Sequence, residues 1–306
     1  MDPSARSETT TAADVLAHFG SAPRTHRAYK AWRTDPRYEI VVPWVERHTV
    51  STVYRMSSRT VGEVCRRTGH ALGNVKSAEV EALPQIADWN PPFAFTFVLH
   101  HLTERSRSVP TWDEFRVFFR HDPVGRLMLG RPIDDAKARS IEQGLPASIV
   151  DDALRWRVGN AYYSFLRELW LLVRLREHGI PLQIHPLADA VFKVDAWFGR
   201  IALNIYIRNA HYRDDEHGRK VATKSVLQGA DPAFLVENVR LERARKFGKV
   251  HLPDETDIRT VVQRLRRSTC RPAISTPAEH AAGPEAASSL ELAPKIEEGQ
   301  TLPRED

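Results

Sequence analysis

Cysteine is nearly missing from this chain. Cys65 and Cys270 stand alone, far apart and without a second Cys or His at ligand spacing, which excludes a disulfide scaffold and a zinc ribbon and fits a reducing compartment. No apolar run approaches the roughly 20 residues that a membrane-crossing helix needs. The opening residues MDPSARSETTTAAD also lack the basic-then-apolar order of a secretory signal. A cytoplasmic location and no membrane partner are expected. The 15 glycines are scattered, so there is neither a Walker phosphate loop nor a dinucleotide fingerprint, and no internal repeat is visible.

What the chain does have is apolar material and an uneven charge. Of 306 residues 42% are apolar, enough to bury a real core in one large or two ordinary domains. Residues 272–306 carry seven acids and two bases, a balance of −5, so the net +5 of the whole chain leaves +10 on residues 1–271. A basic folded part beside an acidic tail favours contact with nucleic acid through counterion release.

The pattern divides the chain into four parts. Residues 1–11 and 268–306 are polar or rich in Ala, Pro, Glu and Ser without apolar period, and disorder is expected there. Residues 12–145 read as mainly helical, with starts at Ser57-Ser58, at Thr111 with Glu114 as a capping box, and at Asp134. The exception is a short strand expected over Tyr38–Val42. Residues 146–267 read as a small α/β domain. A helix is expected from about Ala161 to His178, stopped by Gly179, with Phe165, Leu169, Leu172, Val173 and Leu175 on its apolar face. Helices are expected over Lys220–Leu227, Phe234–Arg245 and Glu255–Leu265, and a strand over Lys249–Leu252. Trp89, Trp112, Trp156 and Trp170, with the run Pro92–Leu99, read as core.

The segment Ile180–Arg219 carries the most specific signal. Val191, Phe192 and Val194, then Ile201, Leu203, Ile205 and Ile207, are β-formers, and Phe198-Gly199-Arg200 supplies a tight turn between the two runs. Asp195 then lies near the end of the first strand, where a carboxylate among apolar residues needs a metal, a cation or several donors. Ion pairing with Lys193, Arg200 or Arg208 is the structural explanation. Trp197, two residues on, either lines a site or covers the sheet.

A helix, a hairpin carrying Asp195, and Leu203-Asn204-Ile205-Tyr206 on the next strand together resemble the core of the PD-(D/E)XK, or restriction-endonuclease-like, nucleases over about Ala161–Arg267. The fold class implied is α+β or α/β: a mainly helical N-terminal region followed by a small mixed-sheet domain. In that superfamily the aspartate and a Glu-x-Lys converge on magnesium, which positions a water for phosphodiester cleavage. Asp195 matches the aspartate, but Asn204 and Tyr206 stand where the Glu and Lys belong. The resemblance therefore implies a rearranged site. Asp195, Asp189 and Asn204 are its candidate metal ligands, and Asp195, Lys193, Lys220 and Glu168 its candidate catalytic residues. His211, Arg213, Arg219 and Lys224 combine imidazole and cations suited to phosphate, although a solvated basic helix face explains them equally. Thr60–Lys76 is similar to a helix-turn-helix: Cys65, Gly69 and Val75 hold the spacing of packing residue, turn and anchor, which directs Asn74 and Lys76 to DNA.

The functional expectation is thus a magnesium-dependent DNA endonuclease. The alternative is a catalytically silent relative that binds DNA or assembles with a protein partner or a second copy.

Overall fold

Contacts divide the chain into Met1–Ala273 and Ile274–Asp306, and the residues described by the computed structural model all belong to the first: 8–73, 80, 83–207, 219–241, 244–247 and 250–269. Helices of eight residues or more are α1 (Ala12–Phe19), α2 (Pro23–Thr34), α3 (Ser58–Arg67), α4 (Phe95–Ser106), α5 (Trp112–His121), α6 (Arg131–Glu142), α7 (Ala147–Glu177), α8 (Arg219–Leu227) and α9 (Glu255–Thr269). The strands are β1 (Thr10–Thr11), β2 (Thr49–Val50), β3 (Ala196–Phe198), β4 (Ile201–Ile207), β5 (Leu235–Leu241), β6 (Ala244–Phe247) and β7 (Val250–Pro253).

Helix ends follow side-chain chemistry. Thr111 and Glu114 form the expected capping box, and Ser57 accepts from the N–H of Thr60; each such cap satisfies a backbone donor that the helix itself leaves unpaired. A second box, Thr11 with Asp14, starts α1. Asp134 stands in the first turn of α6 rather than before it, a favourable place for a negative charge beside the helix N-terminus.

Helix α7, 31 residues long, is the central rod. It packs against α3, α4, α6, β7 and α9. Val150, Ala153, Leu154 and Val158 in its first half, and Tyr162, Phe165, Leu166 and Leu169 in its second, are all buried, an apolar spacing of three and four that keeps one stripe against the core. Residues on both sides of position 145 join one buried cluster running from Ala12 to Leu265. A smaller one, including Val80, Ile86, Val150 and Leu154, lies near the start of α7.

The main sheet has the order β3-β4-β5. Strands β3 and β4 are antiparallel, with Ala196 opposite Leu203, and β4 and β5 are parallel through α8, with Asn204 opposite Asn238. Gln183 adds an antiparallel bridge to Trp197. Gly199, at φ 48°, makes the turn between β3 and β4, a left-handed conformation open to glycine at little cost.

Four local expectations are corrected. Tyr38–Val42 is not a strand: Asp35 caps a short 3₁₀ turn, Pro36–Tyr38, by accepting from the N–H of Arg37, and Val42–Glu46 is helical. The rod α7 starts some fourteen residues before Ala161. Phe234–Arg245 is mostly strand, because Leu235–Leu241 pairs with β4 along its whole length. Val191, Phe192 and Val194 do not form the first strand. Ala188–Phe192 is a π-helical turn closed by Lys193 at φ 60°, whose N–H donates to Asp189 O while Val194 N–H reaches Ala188 O. All three apolar side chains are buried, and an apolar run buried on every side has no period by which strand and helix differ. Asp195 consequently precedes β3 instead of ending a strand.

Candidate functional site

Three elements bring acids together. Glu168 comes from the second half of α7, between buried Leu166 and Leu169. Asp189 comes from the π-helical turn, and Asp195 from the bend before β3. Burial, then the neighbouring carboxylates of Asp195 and Asp189, hold the Glu168 carboxyl well above its ordinary value. Desolvation and like charge both disfavour its ionised form. Asp195 is oriented from β4: the N–H of Ile205 donates to its Oδ2 at 2.6 Å, while its own N–H donates to Leu203 O at 3.0 Å.

These acids and Lys193 line one cavity of about 200 Å³. Lys193 donates its ammonium to Ala190 O at 2.6 Å, so the side chain folds back over its own turn. The far walls come from regions remote in sequence. Trp32 and Tyr38 supply aromatic rings 6.2 Å apart, α4 supplies Thr96, Phe97 and His100, and His185 lies near the π-helical turn.

The histidines form a neutral buried group. His185 Nδ1 accepts from the N–H of Leu187 at 3.0 Å, which leaves Nε2 to donate to His48 O at 3.0 Å; the two partners assign the tautomer. Burial pushes His185 and His100 down to about 4. His48 falls to about 2, through burial and then the imidazoles of His100, His185 and His101. His48 Nε2 and His100 Nδ1 are buried with no hydrogen-bond partner.

Asn204 belongs to a different arrangement. Its nitrogen donates to Asn238 Oδ1 at 3.3 Å, and its carboxamide oxygen, at 3.3 Å, shares the single hydroxyl hydrogen of Thr223 with the nearer acceptor Lys193 O at 2.8 Å. Asn204 is 3% exposed and is not among the residues lining the cavity. Trp197 is buried against His18 and Phe19, so it covers the sheet. Arg200 sits over the Phe234 ring, 3.5 Å from its centroid, and donates to Pro232 O.

Of the expected phosphate-binding residues, Lys224 is exposed on α8. Arg219 and Lys220 begin that helix, with their side chains outside the described residues, as are His211 and Arg213 altogether. In the expected helix-turn-helix, α3 is present and Cys65 is buried. Thr68–Gly73 is non-helical and held from two sides: Trp112 N–H donates to Thr68 Oγ1, Ala71 N–H donates to Tyr163 Oη, and Arg155 reaches His70 O and Ala71 O. Asn74 and Lys76 lie outside the described residues.

The acids offer oxygen ligands alone, the set preferred by a hard divalent cation, and a cation between them would offset the like charge that adds to burial in raising Glu168. As they stand, no three His, Cys, Asp or Glu side chains among the described residues are arranged to hold a metal. The donor chemistry fits magnesium, and the ligand shell is not closed. No described helix is long and apolar enough to cross a membrane. Residues that sequence reasoning passed over are Trp32, Tyr38, His48, Thr96 and His100. Thr96 and His100 at i, i+4 within an apolar run were the one local signal, since that spacing shares a helix face. Comparison of the chain with protein-family models, with curated proteins and with solved structures gives no match.

Proposed function

We propose that this chain is a metal-dependent DNA endonuclease with a restriction-endonuclease-like core and a rearranged acidic site. The observation that carries the reading is the convergence of Glu168, Asp189 and Asp195 from three separate elements, close enough that two of them raise the third. A strongly perturbed carboxyl with named charge partners, lining a cleft, marks a functional-site candidate. The succession of helix α7 and hairpin β3-β4 is compatible with it, with Asp195 just ahead of the hairpin rather than on its first strand.

In this reading Glu168, Asp189 and Asp195, which do not surround a common metal position as they stand, would hold magnesium, and that ion would supply Lewis-acid activation of water and charge neutralisation at the phosphate. Ile205 fixes the Asp195 carboxylate through its N–H. Lys193, at the cavity wall, orients the water, with Lys220 as the alternative donor. Arg213 and Arg219, with Lys224 and His211, hold phosphate, since arginine and lysine form charge-assisted bonds to its oxygens. Asn204 serves as a strut between α8 and β5 and not as a ligand.

A second reading rests on that same strut. With Asn204 and Tyr206 in the places of Glu and Lys, the core acts as a silent DNA-binding or assembly subunit, as one fold hosts many functions. The experiment is cleavage of supercoiled and linear DNA with magnesium or manganese by the wild type, Asp195→Ala and Glu168→Gln, with binding scored in parallel. Metal-dependent nicking lost in both variants while binding persists supports the nuclease. Salt-sensitive binding without cleavage by any of the three proteins supports the silent subunit.

A further inference from the structure

Resting on the nuclease reading, we infer that the cavity beside the acids receives the base of an unpaired nucleotide, so that the substrate is DNA with a displaced or single-stranded position. Three observations carry it. The first is size. At about 200 Å³ the cavity is smaller than the roughly 300–1,000 Å³ typical of drug-sized ligands. It has room for one ring system and none for a duplex.

The second is charge. Among the described residues that line it, Lys193 is the one cation against Glu168, Asp189 and Asp195. A phosphate is repelled from such an interior, whereas an uncharged planar ring is not. The phosphodiester would then stay outside, next to the acids only where the cation of the nuclease reading offsets their charge, and the base turns inward.

The third is the wall chemistry. Trp32, Tyr38 and Phe97 present aromatic surface, the platform on which unpaired bases stack regardless of sequence. Thr96 and His100, one turn apart on α4, supply hydrogen-bonding groups beside it. His100 is 7% exposed and lines the cavity with Thr96. A neutral imidazole and a hydroxyl each serve as donor or acceptor, matching the mixed edge of a nucleobase. Tyr38 is flanked by the guanidinium of Arg37, 5.6 Å from its ring centroid and itself paired with Asp35, and Asn90 accepts from the guanidinium of Arg157.

The test compares three labelled duplexes by fluorescence anisotropy, in chelator and in magnesium. One has blunt ends, one carries a one-nucleotide flap, and one carries the same flap without its base. The wild type is expected to bind the base-bearing flap about tenfold more tightly than the other two, within the range that stacking one base on aromatic side chains supplies. Tyr38→Ala and Thr96→Val should erase that difference and leave blunt-duplex affinity unchanged, and Tyr38→Phe should keep it. Equal binding of base-bearing and abasic flaps by the wild type overturns the inference, as does an equal loss on all three duplexes in the variants. Cleavage is scored on the same substrates. Cleavage without flap preference leaves the nuclease and removes the base pocket; flap preference without cleavage in any metal does the reverse.

Discussion

The backbone N–H of Ile205 donates to Oδ2 of Asp195 at 2.6 Å, so strand β4 sets the direction of a carboxylate that precedes strand β3. The bond couples the sheet to the acid cluster, and it separates two ways of disabling the site. Asp195→Ala removes both the candidate ligand and the acceptor for a part-buried donor, and should lower stability by about 1–3 kcal/mol. Asp195→Asn keeps an acceptor and should cost about half of that or less. Both should abolish the metal-dependent cleavage proposed above. Urea unfolding beside the nicking assay checks this; equal destabilisation by both variants would show that the bond to Ile205 contributes little.

Glu168 titrates above its ordinary 4.5, first through burial and then through Asp195 and Asp189. With its folded value raised, the folded chain holds a proton that the unfolded chain releases as pH climbs past 4.5, so stability from this group declines as pH rises through the folded value. Glu168→Gln removes the decline. The variant should gain melting temperature relative to wild type at pH 8 and gain less at pH 5. Magnesium should raise the wild-type melting temperature more than that of the variant, because it competes for the ionised form. A pH-independent difference in melting temperature would refute this assignment of charge.

Asn204 is held by Thr223 and Asn238 and does not line the cavity. Asn204→Ala should therefore destabilise by about 1–3 kcal/mol through its unpaired neighbours, with kcat for DNA cleavage changed less than about twofold, a factor worth roughly 0.4 kcal/mol. Asn204→Glu, restoring the acid of the resembling superfamily, sets a carboxylate against the amide oxygen of Asn238 and should give no rise in activity. A large gain by that variant would return position 204 to the site.

His48, held down to about 2, and His100 and His185, each at about 4, are buried and neutral in the folded chain. Their folded values lie below the unfolded 6.5, so their contribution is intact above pH 6.5 and is lost as pH falls toward 4, where the unfolded chain takes up the protons. Each histidine adds a slope of about 1.4 kcal/mol per pH unit once pH is well below 6.5. Chemical unfolding between pH 7 and 5, done in the Glu168→Gln background, isolates this from the carboxyl raised toward the same range; His18, lowered to about 4 chiefly by burial, adds a slope of the same sign. A flat profile over that interval is the outcome that excludes a neutral histidine group.

Helix ends with explicit side-chain chemistry were legible: Thr111 with Glu114, and Ser57. Gly199 marked its turn, and the gathering of Glu168, Asp189 and Asp195 was within reach of the superfamily resemblance. The π-helical turn was not, because Val191, Phe192 and Val194 favour strands by composition and only tertiary burial decides otherwise. The start of α7 was missed for a different reason. Asp151, Asp152, Arg155 and Arg157 hide an apolar stripe, Val150, Ala153, Leu154 and Val158, whose spacing was nonetheless on view. Trp32, Tyr38 and His100 meet the acids through contacts across more than sixty residues of chain, which no local period encodes. For His211, Arg213, Asn74 and Lys76 the structure adds nothing to the sequence.

Helix α7 acts as a dial as well as a beam. At 1.5 Å per residue its 31 residues extend about 46 Å, and along that length they bind Trp89 O and Asn90 through Arg157, Thr68 and Ala71 through Tyr162 and Tyr163, and Glu255 through Arg174. Each residue also turns the helix by about 100°. A single residue inserted between Tyr163 and Glu168 would leave the tyrosine clamp in register and swing Glu168 out of the cavity, so the angular phase of one unbroken helix is what keeps the carboxyl facing its partners.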